Sequence, residues 1–203
     1  MGRVSRWLGL AGVAFVVLAF LGLNFMGDTP SLDDVTAAEI INHWTQVANG
    51  NLAATFLVLC VPFLVIFGAA VLARHHGSEA FVFDIWSFVF GVGIAVAAVG
   101  FVREAAEVAA ITDVAHSGFS DMVVQLYVGG GRLHMIWFAG LSLTLIGAAG
   151  MFIPRSGFDR VLGWIALVVG IVGLLPEPIG LAGTLASVVW ILVASVTIVA
   201  RTK

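Results

Sequence analysis

The side chains able to do chemistry in this chain gather in four short stretches. "FVREAAEVAA" places Arg103, Glu104 and Glu107 within little more than one helical turn, and "GRLHMIW" brings Arg132 and His134. "LLPEPIG" holds Glu177 between two prolines, and "INHWTQ" carries His43 and Trp44. Arg103 and Glu107 stand at i, i+4, so they share a helix face and can pair; Glu104 adjoins Glu107 at i, i+3. A carboxyl buried in apolar surroundings holds its proton to higher pH unless a cation answers it. Glu107 and Glu177 are therefore the candidate acids. Arg103, Glu104, Arg132, His134, His43 and Trp44 are the candidate binding residues. Neither CxxC nor HExxH occurs, so no metal or cofactor is expected. The single cysteine, Cys60, lies in an apolar run and has no partner for an internal disulfide.

The elements that hold these residues are membrane helices. Hydrophobic residues make up 61% of the chain and charged residues 10%, well below the roughly 25% charged residues of a soluble domain. Several apolar runs approach the ~20 residues that cross a bilayer. The pattern predicts an all-α, polytopic bundle in one domain, 1–203. About six spans are expected, at 7–26, 52–73, 85–111, 134–153, 161–176 and 179–200. "NFMGDTPS" lacks a small-x-small cleavage pattern, so the first run reads as a retained helix rather than a signal peptide. "MGRVSR" has arginine where a myristoylation signal needs Ser or Thr.

Lys and Arg resist translocation and collect in cytoplasmic loops. With the N-terminus inside, Arg3, Arg6, Arg74, Arg155, Arg160, Arg201 and Lys203 all fall inside. Only Arg132 falls outside, with Arg103 at the border. Both termini are expected to be cytoplasmic.

The first outer loop predicts a short amphipathic helix over 31–48. Ser31 and Asp34 form a capping-box pattern, and Asn49-Gly50 reads as a stop. Val35, Ala37, Ile41, Trp44 and Ala48 mark its apolar face, with Trp44 at headgroup depth. A second short helix is expected over 120–128, with Met122, Val123, Leu126 and Tyr127 on its apolar side and "GGG" as a joint after it.

Helix three enters near Ile85, so Arg103 stands ~27 Å higher, at the far edge of the hydrocarbon, and Glu107 ~6 Å beyond it. The helix continues because "EAAEVAA" is rich in good helix formers. The run before Pro176 spans only ~22 Å, so the "PEP" corner is expected at or below the outer interface. Arg103, Glu104, Glu107, Arg132, His134 and Glu177 then converge on one layer. Ionisable groups at membrane depth point to a site; the simpler alternative is an inter-helix salt-bridge layer. His75-His76 reads as a solvated loop, Trp86, Trp137, Trp164 and Trp190 as mainly lipid-facing or interfacial, and the glycines as helix contacts.

Several classes drop out. No lysine lies in a span, which excludes a retinal Schiff base. Every histidine stands near a helix end, which argues against a bis-histidine haem. The spans are too apolar for an ion pore, and neither half repeats the other as in inverted-repeat transporters. No basic or aromatic-basic tract suggests nucleic acid.

"LIGAAGMFIPRSGFDRVLGWIALVVGIVGLL", followed by a polar corner and "WILVASVTIVAR", resembles an uncharacterised family of bacterial multi-span membrane proteins, known only as a domain of unknown function; "FVREAAEVAA" is similar as well. The resemblance covers mainly the last third of the chain. It implies a bacterial inner-membrane bundle and assigns no chemistry. The partners expected are the bilayer and a small lipophilic or amphipathic ligand. The favoured expectation is a binding or accessory protein with a polar pocket near the outer leaflet. The alternatives are an enzyme acting on a lipid-soluble substrate, and a structural subunit braced by its charges. Membrane terpene cyclases, with a protonated Glu and aromatics that steady a carbocation, are an analogy for the enzyme in size and helical build.

Overall fold

The computed structural model describes residues 2–27, 35–76, 84–130, 134–176 and 179–201. These form eight helices and no strand: α1 Gly2–Met26, α2 Ala37–Gln46, α3 Gly50–His76, α4 Ile85–His116, α5 Ser120–Gly130, α6 His134–Phe152, α7 Phe158–Gly173 and α8 Ile179–Arg201. Five stretches are long and apolar enough to cross a membrane: Trp7–Met26, Gly50–His75, Ile85–His116, Ser120–Phe152 and Ile179–Arg201. The expected span at 161–176 is α7, which has only 16 residues, about 24 Å of helix.

Lipid tails are as apolar as the side chains, so close packing rather than water exclusion holds such helices together. The α4/α6 seam shows how. Gly93 lies against the backbone of Thr144, Gly100 against Trp137, Gly140 against Ala97 and Gly147 against Phe90. A methyl group at any of the four would overlap the partner's backbone. One antiparallel register accounts for all four contacts, and the glycines recur at seven-residue spacing, the period of a coiled-coil seam. The same register sets His134, the first residue of α6, opposite Arg103.

Elsewhere Gly22 of α1 meets Ala53 and Leu57 of α3, while Gly9 and Gly12 meet Ile198, Val199 and Ser195 of α8. The start of α1 and the end of α8 therefore share one end of the bundle. Gly163 of α7 sits beside Ile153, and Gly173 beside Ser142. Ser142 is eight residues into α6, so α7 stops ~12 Å below the top of its neighbour. Buried hydroxyls bond to their own helices: Thr112 donates to Val108 O, Thr144 to Gly140 O, Ser187 to Gly183 O and Ser195 to Ile191 O. This satisfies polar side chains where no water reaches.

The structure corrects several local expectations. The surface helix is Ala37–Gln46. Its capping box is Thr36 with Glu39: the Glu39 amide donates to Thr36 Oγ1 at 3.3 Å, and the Thr36 amide donates back to the Glu39 carboxylate at 2.8 Å. Ser31 and Asp34 lie outside the described residues. Asn49-Gly50 opens α3 instead of ending α2, because Gly50 fits against the Thr112 side chain. Trp137 and Trp190 are core residues, whereas Trp86 and Trp164 are exposed. Trp190 donates to Leu162 O at 2.9 Å, a bond that ties α8 to α7.

Candidate functional site

At the end of the bundle away from the termini, α5 lies on the upper part of α4, and α2 covers both. Between α4 and α5 opens a cleft of about 410 Å³, lined by Arg103, Ala106, Glu107, Gln125, Leu126, Gly129 and Gly130. Arg103, Ala106 and Glu107 line it because residues three and four apart share one face of α4. Gln125 and Gly129 do the same on α5. Gly130 is required by close approach: a Cβ built there would fall on the Glu107 carboxyl group. The Glu107 carboxylate is thus seated against the α5 backbone. Arg103 is exposed and forms no ion pair among the described residues; the i, i+4 pairing expected with Glu107 is not made. Glu104 is half-buried, and both glutamates act electrostatically on Tyr127, whose ring faces inward from α5.

Aromatic residues flank the cleft. Above it, Trp44 of α2 is 2% exposed, with its ring edge-on to Tyr127 at 6.2 Å and to His43 at 5.3 Å. Trp44 therefore pins α2 to the bundle. Beneath, Phe101 stacks on Trp137 at 4.8 Å, and Trp137 meets Phe138 edge-on at 4.3 Å. The indole N–H groups of Trp44 and Trp137 are buried with no hydrogen-bond partner among the described residues.

Of the residues singled out in the sequence, Arg103 and Glu107 meet in the cleft, with Glu104 beside it. His43 and Trp44 lie in the covering layer. His134 begins α6 at the level of Arg103. Arg132 and Glu177 lie outside the described residues. Sequence reasoning missed Gln125, Gly129 and Gly130, although the "GGG" joint was visible.

It also missed a second polar assembly at the opposite end. Asp159, at the start of α7, accepts from Arg74 of α3 at 3.2 Å and from Arg201 of α8 at 2.6 Å, and pairs more loosely with Arg155 at 3.8 Å. Arg155 also donates to Arg74 O and to His75 Nδ1, at 3.3 and 3.2 Å. A guanidinium has no acceptor, so His75 Nδ1 is the accepting nitrogen and Nε2–H donates to Asp84 at 3.0 Å. Asp84 in turn caps α4 through the amides of Trp86 and Ser87. Burial pushes the Asp84 carboxyl up, but the amide and hydroxyl of Ser87 and the His75 ring together pull it further down, to about 2. Burial and the neighbouring Arg74 lower the Arg155 guanidinium, and Asp159 only partly offsets them. His75 is thus a bridge between α4 and the α6–α7 turn, in place of the solvated loop residue expected. The arginines were legible as an inside bias, but their convergence on one carboxylate needs the helix arrangement.

Compared with family models, curated proteins and solved structures, the chain matches none. The resemblance of its last third rests on those residues alone.

Proposed function

We propose that the chain is an integral membrane protein that binds a small amphipathic ligand in the cleft between α4 and α5, close to the outer leaflet. The observation that carries this reading is the cleft wall. One guanidinium, Arg103, is left without an ion pair among the described residues, beside a carboxylate that a glycine contact seats. A salt-bridge layer alone would use Arg103. The ligand's anionic or hydrogen-bonding group meets Arg103 and Gln125, and its apolar part lies along Leu126 and the lipid-facing side of α4.

Six crossings fit this reading, with both termini in the cytoplasm of a bacterium and the protein in its inner membrane. Asp159 at the start of α7 bonds Arg201 at the end of α8, so α7 leads from the basic end toward the start of α8. Its 16 residues cover ~24 Å of a ~30 Å core.

A second reading, acid-catalysed rearrangement of an isoprenoid with Glu107 as proton donor, is favoured by the aromatic group of Phe101, Trp137 and Phe138 below the cleft. Mass spectrometry of organic extracts of the purified protein tests both, beside Glu107→Gln and Glu177→Gln variants. A specific lipophilic molecule present in the wild type and lost from a folded variant supports binding. A cyclised product made by the wild type alone supports catalysis. Folded variants with an extract identical to that of the wild type would end both readings.

A further inference from the structure

The basic end carries more positive charge than its carboxylates neutralise. Arg3, Arg6, Arg74, Arg155, Arg160, Arg201 and Lys203 belong to it by sequence, against Glu79, Asp84 and Asp159. The imbalance is local as well, since three guanidinium groups share Asp159. Arg155 and Arg160 spend donors on helix-end carbonyls: Arg160 Nε bonds Arg155 O at 2.8 Å and Ile153 O at 3.2 Å. Neutral carbonyls satisfy hydrogen bonds but cancel no charge.

Two further features sit at the same place. The N-cap of α7 is Gly157, at φ 61, and no side chain caps the helix. Its first-turn amides thus point at the basic end without a side-chain acceptor, and a helix N-terminus attracts anions. Immediately beyond, α7 turns an apolar face outward, with Val161, Trp164, Ile165 and Val168 all exposed. Phe158 is exposed too, with the Arg201 guanidinium 5.5 Å from its ring centre. Guanidinium groups and open amides at the end of the bundle, and an apolar strip next to them toward its middle, match a molecule with an anionic head and hydrocarbon tails.

We propose that the first turn of α7, with Arg160 and Arg201, binds the phosphate of an anionic phospholipid from the leaflet at this end. The phosphate accepts from the open amides and from the unused edges of the two guanidinium groups, while the acyl chains lie along Val161, Ile165 and Val168. A single basic residue near an anionic headgroup is worth about five-fold in binding.

The test uses the purified full chain, stripped of lipid and exchanged into mixed phosphatidylcholine and phosphatidylglycerol bilayers, with retained lipid counted by native mass spectrometry. Phosphatidylglycerol should be retained above its share of the bilayer. Arg160→Gln and Arg201→Gln should each lower that preference about five-fold, and Arg→Lys at either position should restore most of it. Inorganic phosphate is the second probe. If it binds the stripped protein and displaces the lipid, the phosphate chemistry holds and the lipid source is overturned. Equal retention of both lipids by the wild type, with no phosphate binding, overturns the proposal without reference to any variant.

Discussion

The two ends of the bundle use charge in opposite ways. At the basic end one carboxylate, Asp159, is shared by arginines from α3, α8 and the α6–α7 turn. At the far end Arg103 lines an open cleft and forms no ion pair among the described residues. The first arrangement joins helices that are distant in sequence. The second leaves donors facing a cavity. Charges at a membrane border are therefore not of one kind, and the difference is one of partners rather than depth. A charge answered from another element is a brace; a charge facing a gap is available to a ligand.

The comparison breaks most visibly at Asp159. Asp159→Ala leaves three arginines without their shared partner, and orphaned partly buried charge is strongly destabilising. Solvent reaches this network, so the expected loss is about 2 kcal/mol, below the buried limit, read by denaturant unfolding in detergent. A loss no larger than that of an exposed substitution would mean that the network braces nothing.

Gly130→Ala should come next. The added methyl displaces the Glu107 carboxyl group, and because that group ends a flexible side chain the cost is about 1 kcal/mol. Ligand recovered in organic extracts should fall at the same time. A stable variant that keeps its ligand would show that the seating of Glu107 does not matter to the site.

Asp84 sharpens the brace through pH. Its folded carboxyl titrates near 2, against an ordinary value of 3.8. A depressed carboxyl stabilises the fold above its ordinary value, and the contribution disappears as pH falls through the folded value. Asp84→Asn should therefore be less stable than wild type at neutral pH, and the gap should close between pH 3.8 and about 2. Unfolding curves of both proteins across that window check it; a gap independent of pH would place the effect elsewhere.

The smallest stability effect belongs to Arg103. Arg103→Gln should change stability by about 0.5 kcal/mol or less, as for a surface position, while removing the extracted ligand. A large stability loss would make the far end a brace like the other.

Much of the fold is legible from length and composition, because spanning a bilayer needs a long apolar run. Which face of each run is buried is not legible in the same way. Exposed Trp164 and core Trp190 look alike in sequence, since a lipid-facing surface and a core are equally apolar. Glycine spacing, as at Gly93 and Gly100, marks the buried face better than hydrophobicity does. The α2 boundary differs from the expected one because two capping patterns, Ser31/Asp34 and Thr36/Glu39, stand five residues apart, and α2 begins after the second. At the site, Arg103 and Glu107 follow from helical spacing alone. The seating of Glu107 does not, because it depends on α5 bringing Gly130 down onto the carboxyl group. His75 escaped for a similar reason: its partners Arg155 and Asp84 come from separate elements.

The glycine seam of α4 and α6 has a consequence for the order of events during synthesis. Both its strips of bare backbone are complete before α7 and α8 emerge from the ribosome, so this pair can close early and in one register. Gly9 of α1, by contrast, has its nearest neighbours on α8, while Gly12 meets Ser195 of α8 and Phe67 of α3. The bundle is therefore assembled around a hairpin finished midway, and the seat that α8 offers Gly9 of the first helix is the last to form.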